Sequence, residues 1–527
     1  MRASKSSHLR RAWQWLRRKF FARTPDTLTS IVPVQSGRQE LEDLLGGMGT
    51  DIRGNPHIAF DKLEMTHFLS WSLIPGTRDE LGREGAARLA FEGNFEGSTN
   101  AFLNELYEQA GGTLKEKIYR HCGLPPRSDV EGFKEFLLAH AVKAALPYEG
   151  YSGLSACKIQ NDARVRRRFL QLFREAPATR PVLSTIARAQ GSEAVRLNQE
   201  IEDCYAIISR ELQEAARNQG VARNPPGVSG VESAAKDEPP LEFDAEPEPW
   251  RLRLRKWGPV RLLLSSLAFP ALGVGALLLG HEVLSASWEE WRARRRKGPS
   301  QPETPGPMAL TQEQRHKLDQ IQDWEDYQTQ NHLTHFVELK PGLLRLPVLR
   351  LMLWGWKHLA KYYFTDGNLG SIEGIHRARW VIIDGGRQEW PPPKEDGRPR
   401  WLRISRKRHC LLFFSNYDGS WESYLDDFID RASLGLTTIW CNTVGFPKPR
   451  IRWFPSKGRL PLAIELGADR EDEFKRWVRE HQIRTLTWYS KHPDKSVSNI
   501  RTNRELRARA GVPLPVVKRM QWLQLLS

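Results

Sequence analysis

His67 and His376 carry the most promising chemistry, because each stands near the start of an apolar, tryptophan-bearing strand: MTHFLSWSLI at 65–74 and IHRARWVII at 375–383. Alternation with period two puts His67, Leu69, Trp71 and Leu73 on one face, and His376, Ala378, Trp380 and Ile382 on the equivalent face. An imidazole at the end of such a face suits a haem ligand, a general base or a donor to an oxygenated substrate. The competing reading is a hydrogen-bonded histidine at a strand end. Arg379, where the first strand has Ser70, offers a cation for an anionic group or is a solvated charge. Asp418 lies in Ser415-x-x-Asp418-Gly419, whose counterpart is Gly93-x-x-Glu96-Gly97. The simpler reading of both is a turn after a strand, with Ser98 or Ser420 capping the next helix. The catalytic candidates are therefore His376, Asp418 and Arg379; the cofactor-binding candidates are His67, His376 and Trp380. His140/His481 and Tyr148/Tyr489 form a further pair of matches, which the packing of a helix on its strand accounts for.

These residues come in pairs because the chain repeats itself. Residues 91–125 lie over 413–447 without a gap at a constant offset of 322, with Asn94/Asn416, Gly97/Gly419, Ser98/Ser420 and Gly123/Gly445 identical. A match of that length argues a duplicated unit. In the first unit, periodicity and turn residues predict strands at 28–34, 65–74 and 87–95, helices at 38–45, 98–122 and 133–140, and an extended piece near Tyr148. The second unit repeats the order with strands at 333–339, 375–383 and 410–417 and a long apolar helix at 347–364. That order is β-α-β-β-α-β, the ferredoxin-like arrangement.

Two such units in tandem resemble the dimeric α+β-barrel superfamily, which includes antibiotic-biosynthesis monooxygenases, chlorite dismutases and dye-decolourising peroxidases. The resemblance implies two sheets packed face to face around an apolar cavity, and several members bind haem or a polycyclic substrate. The Gly93-to-Gly97 and Ser415-to-Gly419 turns are similar to the peroxidases' G-x-x-D-G motif, with Glu for Asp in the first and Ser for Gly in the second. The expected fold class is α+β, two ferredoxin-like units forming a pseudo-symmetric barrel, plus a membrane-inserted apolar helix or hairpin.

At 527 residues and a formal charge of +16, the chain exceeds one core and calls for a negatively charged partner or surface. Its five cysteines form no C-x-x-C pair, which argues against a zinc site or disulfide framework. The expected segments are a basic amphipathic helix (1–26), unit one (27–160), a helical extension (161–218), a disordered linker (219–250), a membrane segment with basic flanks (251–297), a linker (298–310), unit two (311–510) and a tail (511–527). The run 262–280 has no charge across 19 residues, about a bilayer's thickness in helix. Its basic flanks give no orientation; Pro270, Gly273 and Gly275 suit a re-entrant hairpin, and hydropathy alone a single span.

Anionic membrane lipid and a lipophilic small molecule are the expected partners, with the folded units on the cytoplasmic side. Nucleic acid is not expected, since the strand at 410–417 lacks the glycine and the flanking basic residue of the RNA-recognition motif. The functional expectation is a small-ligand-binding protein or an oxidoreductase on a lipophilic substrate, with haem as the candidate cofactor. The alternative is a non-catalytic membrane-anchored scaffold.

Overall fold

The computed structural model describes residues 25–76, 85–151, 153–175, 269–297, 329–342, 344–362, 372–383, 409–453 and 462–509, with isolated positions between 203 and 210. The expected amino-terminal helix, the linker at 219–250 and most of the helical extension lie outside them. The chain divides into two compact units. One comprises Met1–Ala22, Gly153–Pro249 and Ser498–Ser527. Its described helical residues include α4 (Ala156–Glu175) and most of α9 (Val497–Arg509), tied by Arg507 to buried Asp162 at 3.0 Å. The other, Arg23–Ser152 with Trp250–Val497, holds both sheets and every candidate residue.

Three strands are laid down twice in that unit. β1 (Pro25–Pro33), β2 (Thr66–Ile74) and β3 (Arg88–Glu96) form the order β1-β3-β2. β5 (Gln330–Glu338), β6 (Ile375–Ile383) and β7 (Cys410–Asp418) repeat it as β5-β7-β6. The registers match as well: Pro25 opposes Glu96 where Gln330 opposes Asp418. The helices repeat too: α1 (Arg38–Thr50), α2 (Thr99–Thr113) and α3 (Val130–Ala139) in the first half, α6 (Arg345–Tyr362), α7 (Trp421–Trp440) and α8 (Glu471–His481) in the second. Ser98 Oγ accepts from Ala101 N and Ser420 Oγ from Ser423 N, so both cap helices as the turn reading expects. Gly97 and Gly419 before them have φ of 83° and 76°, a left-handed bend that favours glycine.

The fourth strands overturn the expected units and barrel. A ferredoxin-like unit places its last strand beside its own first. Here the chain after α3 makes one bridge, Ala141 to Ser30 of β1, and then leaves as β4 (Leu146–Glu149) to pair with β6 of the other sheet. The second half does the same: β10 (Gln482–Ile483) pairs with β5, and β11 (Thr485–Ser490) crosses to β2. The resulting sheets are β1-β3-β2-β11 and β10-β5-β7-β6-β4, beside a small hairpin of β8 (Arg450–Trp453) and β9 (Leu462–Glu465). The architecture is α+β with several sheets, and no barrel is closed among the described residues.

Each sheet buries its outer face under helices. Leu69, Trp71 and Phe91 pack on Leu45, Phe102 and Phe133 in the first sheet, and Trp380 and Phe413 pack with Leu353, Phe428 and Trp440 in the second. The inner faces meet at one end through Ile31, Ile74, Phe336, Val381, Leu412 and Phe414. Elsewhere polar groups fill the space where an apolar cavity was expected. Arg379 of β6 crosses it to Glu92 of β3 at 3.2 Å, both 1% exposed, and donates to Leu28 O, Thr29 Oγ1, Gly93 O and Asn94 Oδ1.

The membrane expectation is also corrected. Residues 269–280 form the first half of α5 (Phe269–Lys297), and no described helix is long and apolar enough to cross a membrane. The helix continues through buried Glu282, ion-paired to Lys340 at 3.1 Å and Arg345 at 2.5 Å, and packs on α6. Gly275 serves that crossing, since a Cβ there would meet Met352 Sδ at 2.8 Å.

Removing one member of a buried ion pair costs about 3–5 kcal/mol, because the other is left uncompensated. Arg379→Met should therefore lower the unfolding free energy by about that amount in a urea titration, and Arg379→Met with Glu92→Leu should recover part of it. A single variant within about 1 kcal/mol of the parent would show that Arg379 does not hold the sheets.

Candidate functional site

The predicted residues fall into three environments. Register irregularities in β2 between Thr66 and Phe68, and in β6 between Ile375 and Arg377, separate the two histidines from the faces that alternation assigns them. A one-residue slip reverses which face a side chain occupies. His67 and His376 consequently leave Trp71 and Trp380 and meet in one cluster between the sheets.

That cluster contains His67, His376, His492 and Tyr151, all at most 3% exposed. His376 Nε2 lies 2.7 Å from Asp418 Oδ1, and its Nδ1 lies 3.2 Å from the Tyr151 hydroxyl. A neutral imidazole donating to Asp418 and accepting from Tyr151 satisfies both contacts. Tyr151 is then free to accept from His492 Nε2 at 3.4 Å. Asp418 Oδ2 accepts from Val497 N at 2.7 Å, so both of its oxygens are engaged. His67 Nε2 is 3.1 Å from Glu96 Oε1 but out of hydrogen-bond alignment. Burial first, then the positive charge of Arg377, holds His67 well below its ordinary pKa; burial and the neighbouring imidazoles do the same to His492. Tyr151 is pushed up by burial, so it stays protonated.

Tyr151–His376–Asp418 has the connectivity of a proton relay. None of its members lines the polar cleft or the apolar pocket described below. Its contacts join β4's continuation, β6, β7 and the chain after β11, which makes it a fastener of the exchanged strands. Haem does not fit here, because His67 and His376 are fully buried in packed surroundings and His376 has both ring nitrogens engaged.

Arg379 occupies the second environment, and the anion it holds is Glu92 of its own chain. Burial alone would raise the Glu92 carboxyl; Arg379, with His332 and Asn94, outweighs it and brings the pKa to about 2. Glu92 also accepts from Ser70 Oγ at 3.0 Å and lies 2.8 Å from His332 Nε2. His332 lines a polar cleft of about 840 Å³, together with Arg53, Arg484, Lys491, Asp61 and Asp494, whose charges are of mixed sign.

Trp380 occupies the third, on the outer face of the second sheet. There a pocket of about 260 Å³ is walled by Trp380 and Tyr148 from the sheet, Trp356 and Ala360 from α6, and Phe428, Ala432, Leu436 and Ile439 from α7. Trp356 Nε1 donates to Thr438 Oγ1 at 3.0 Å. Trp380 is 3% exposed, and its indole N–H has no acceptor among the described residues.

The duplicated His140 and His481 both turn Nδ1 to the carbonyl four residues back, Phe136 O and Trp477 O, at 2.8 Å, at the ends of α3 and α8. Sequence reasoning passed over Tyr151 and His492, although the offset of 341 that relates His140 to His481 also relates this pair. Glu92 and His332 had no such signal, since Glu92 stands opposite Phe414 in the repeat. No family model, curated protein or solved structure matches the chain.

His67 and His492 are neutral when folded but titrate near 6.5 when unfolded, so their contribution to stability is complete above that pH. It should fall below pH 6.5 by up to about 1.4 kcal/mol per pH unit for each. Melting temperatures between pH 7.5 and 5.5 should show the loss, and His67→Gln with His492→Gln should flatten it. Depressed Glu92 adds stability that is present above about 4.5 and lost as the pH falls towards about 2.

Proposed function

We propose that the protein binds a small, largely apolar ligand carrying one hydrogen-bond acceptor, in the pocket between α6, α7 and the outer face of β4 and β6. The observation that carries this reading is the pairing of an apolar, aromatic-lined cavity of about 260 Å³ with a buried indole N–H that has no acceptor among the described residues. An unsatisfied buried donor costs roughly 1–3 kcal/mol, and a ligand oxygen would relieve that cost. A dry apolar cavity of about 150 Å³ accommodates benzene, so this larger one suits a bicyclic aromatic or a branched aliphatic molecule. It is below the usual range of roughly 300–1,000 Å³ for drug-sized ligands and too small for a porphyrin.

Binding is favoured over catalysis by the lining. Its titratable side chains are Tyr148 and Arg431, and Arg431 is engaged with Asp427 at 3.3 Å. Among the described residues, neither a carboxylate nor an imidazole lines the pocket.

N-phenyl-1-naphthylamine should gain fluorescence saturably on the folded protein, and 1-acetylnaphthalene should displace it. Ala432→Trp fills the pocket and should abolish the signal without lowering the melting temperature. Trp380→Phe should weaken 1-acetylnaphthalene by about two- to tenfold relative to 1-ethylnaphthalene, the net worth of one hydrogen bond. Unchanged probe binding in Ala432→Trp would refute the site.

A further inference from the structure

The polar cleft holds a second relay. Thr485 Oγ1 lies 2.8 Å from His332 Nδ1, and His332 Nε2 lies 2.8 Å from Glu92 Oε2. A neutral imidazole that donates to Glu92 and accepts from Thr485 satisfies both contacts. Glu92 is buried, stays ionised, and is engaged by Arg379, Asn94 and Ser70, so it holds the tautomer that leaves Nδ1 a base. Tyr151–His376–Asp418 has the same connectivity but lines neither the cleft nor the apolar pocket. Thr485 and His332 both stand in the wall of the cleft of about 840 Å³.

The exchange of strands aims them there. β10 covers β5 only opposite Thr334 and His335, which leaves His332 beyond its end. The chain then crosses to β2, with a register irregularity between Thr485 and Thr487. Strict alternation would send these two threonines to one face. Instead Thr487 Oγ1 donates to Leu45 O under α1, while Thr485 Oγ1 turns to His332 and to Thr334 Oγ1, 3.0 Å away. A tie between sheets is complete without reaching a cavity; this one ends on a hydroxyl in the wall of a cleft. The lining adds Arg53, Arg484 and Lys491, cations that favour a developing oxyanion, and Asp51, Asp61 and Asp494. Charges of both signs suit a polar substrate over a lipid.

We propose that the cleft hydrolyses a polar ester by acyl transfer, with Thr485 as nucleophile, His332 as general base and Glu92 as the residue that positions the imidazole. Thr485 Oγ1 attacks the carbonyl carbon while its proton passes to His332 Nδ1. The tetrahedral intermediate collapses, the bond to the alcohol oxygen breaks, and that oxygen takes the proton from His332. Water then attacks the acyl-threonine, giving a proton to His332, which returns it to the released Thr485 oxygen. The net reaction is ester plus water to acid plus alcohol. It is independent of the apolar pocket, which lies on the far face of the other sheet.

Turnover of p-nitrophenyl acetate by the full chain tests the proposal, with an alkyl fluorophosphonate as covalent probe. The wild type should release a burst of p-nitrophenolate and carry the phosphonyl adduct on the peptide containing Thr485. Thr485→Ser keeps the oxygen and should retain both. Thr485→Val keeps the shape and, like His332→Gln, should lower kcat at least about a hundredfold. Glu92→Gln should lower kcat per titrated site at unchanged KM, a split that loss of folded protein does not produce. A wild type with neither burst nor adduct would overturn the proposal. So would an adduct on another residue, or Thr485→Val turning over at the wild-type rate.

Discussion

The Arg379–Glu92 ion pair is the constraint on which the arrangement of the sheets depends. Both groups are buried, so neither finds water as a substitute partner, and separating the sheets would strand two charges. Arg379 also donates to backbone and side-chain oxygens of β1 and β3, so it fixes which stretch of the first sheet faces β6. Apolar contact alone, as in the layer of Ile74, Val381 and Phe414, is less particular about register. His332 extends the network to the polar cleft, and Ser72, Thr334 and Thr485 continue it across the sheets.

The exchange of fourth strands complements this network. β4 closes the edge of the second sheet and β11 the edge of the first, so neither half completes its own sheet. The histidine cluster sits where the exchanged segments pass, and its members come from both halves: His67 and Tyr151 from one, His376 and His492 from the other. A group that works as acid or base in an open site works here as a fastener, because burial withholds the substrate and the proton acceptor that catalysis needs.

A polar space between the sheets leaves the apolar pocket on the helical side. Trp380 and Arg379 are neighbours in sequence and point to opposite faces of β6, one into an apolar pocket and the other into the ion pair. The pocket, α6 and α7 belong to one apolar cluster of the second half, against which Leu278 of α5 packs. The corresponding region of the first half is filled by Phe60, which stacks on Tyr489 at 5.2 Å, and by Phe102.

The sequence by itself determined the duplicated three-strand core. The offsets that align the repeat match the observed strands residue for residue, because identical spacing of apolar and turn residues produces identical local structure. It also determined the helix caps at Ser98 and Ser420, a property of a few adjacent residues. Tertiary structure decided where the fourth strands go, since a four-residue strand such as β4 pairs with whichever edge the sheets' approach presents. It decided the facing of His67 and His376, because a register irregularity depends on the partner strand. It decided the place of the uncharged run, which sequence alone fits to a bilayer. The described part of that run lies in a helix held against the fold by the buried ion pairs of Glu282, partners that lie far along the chain and meet only when it folds.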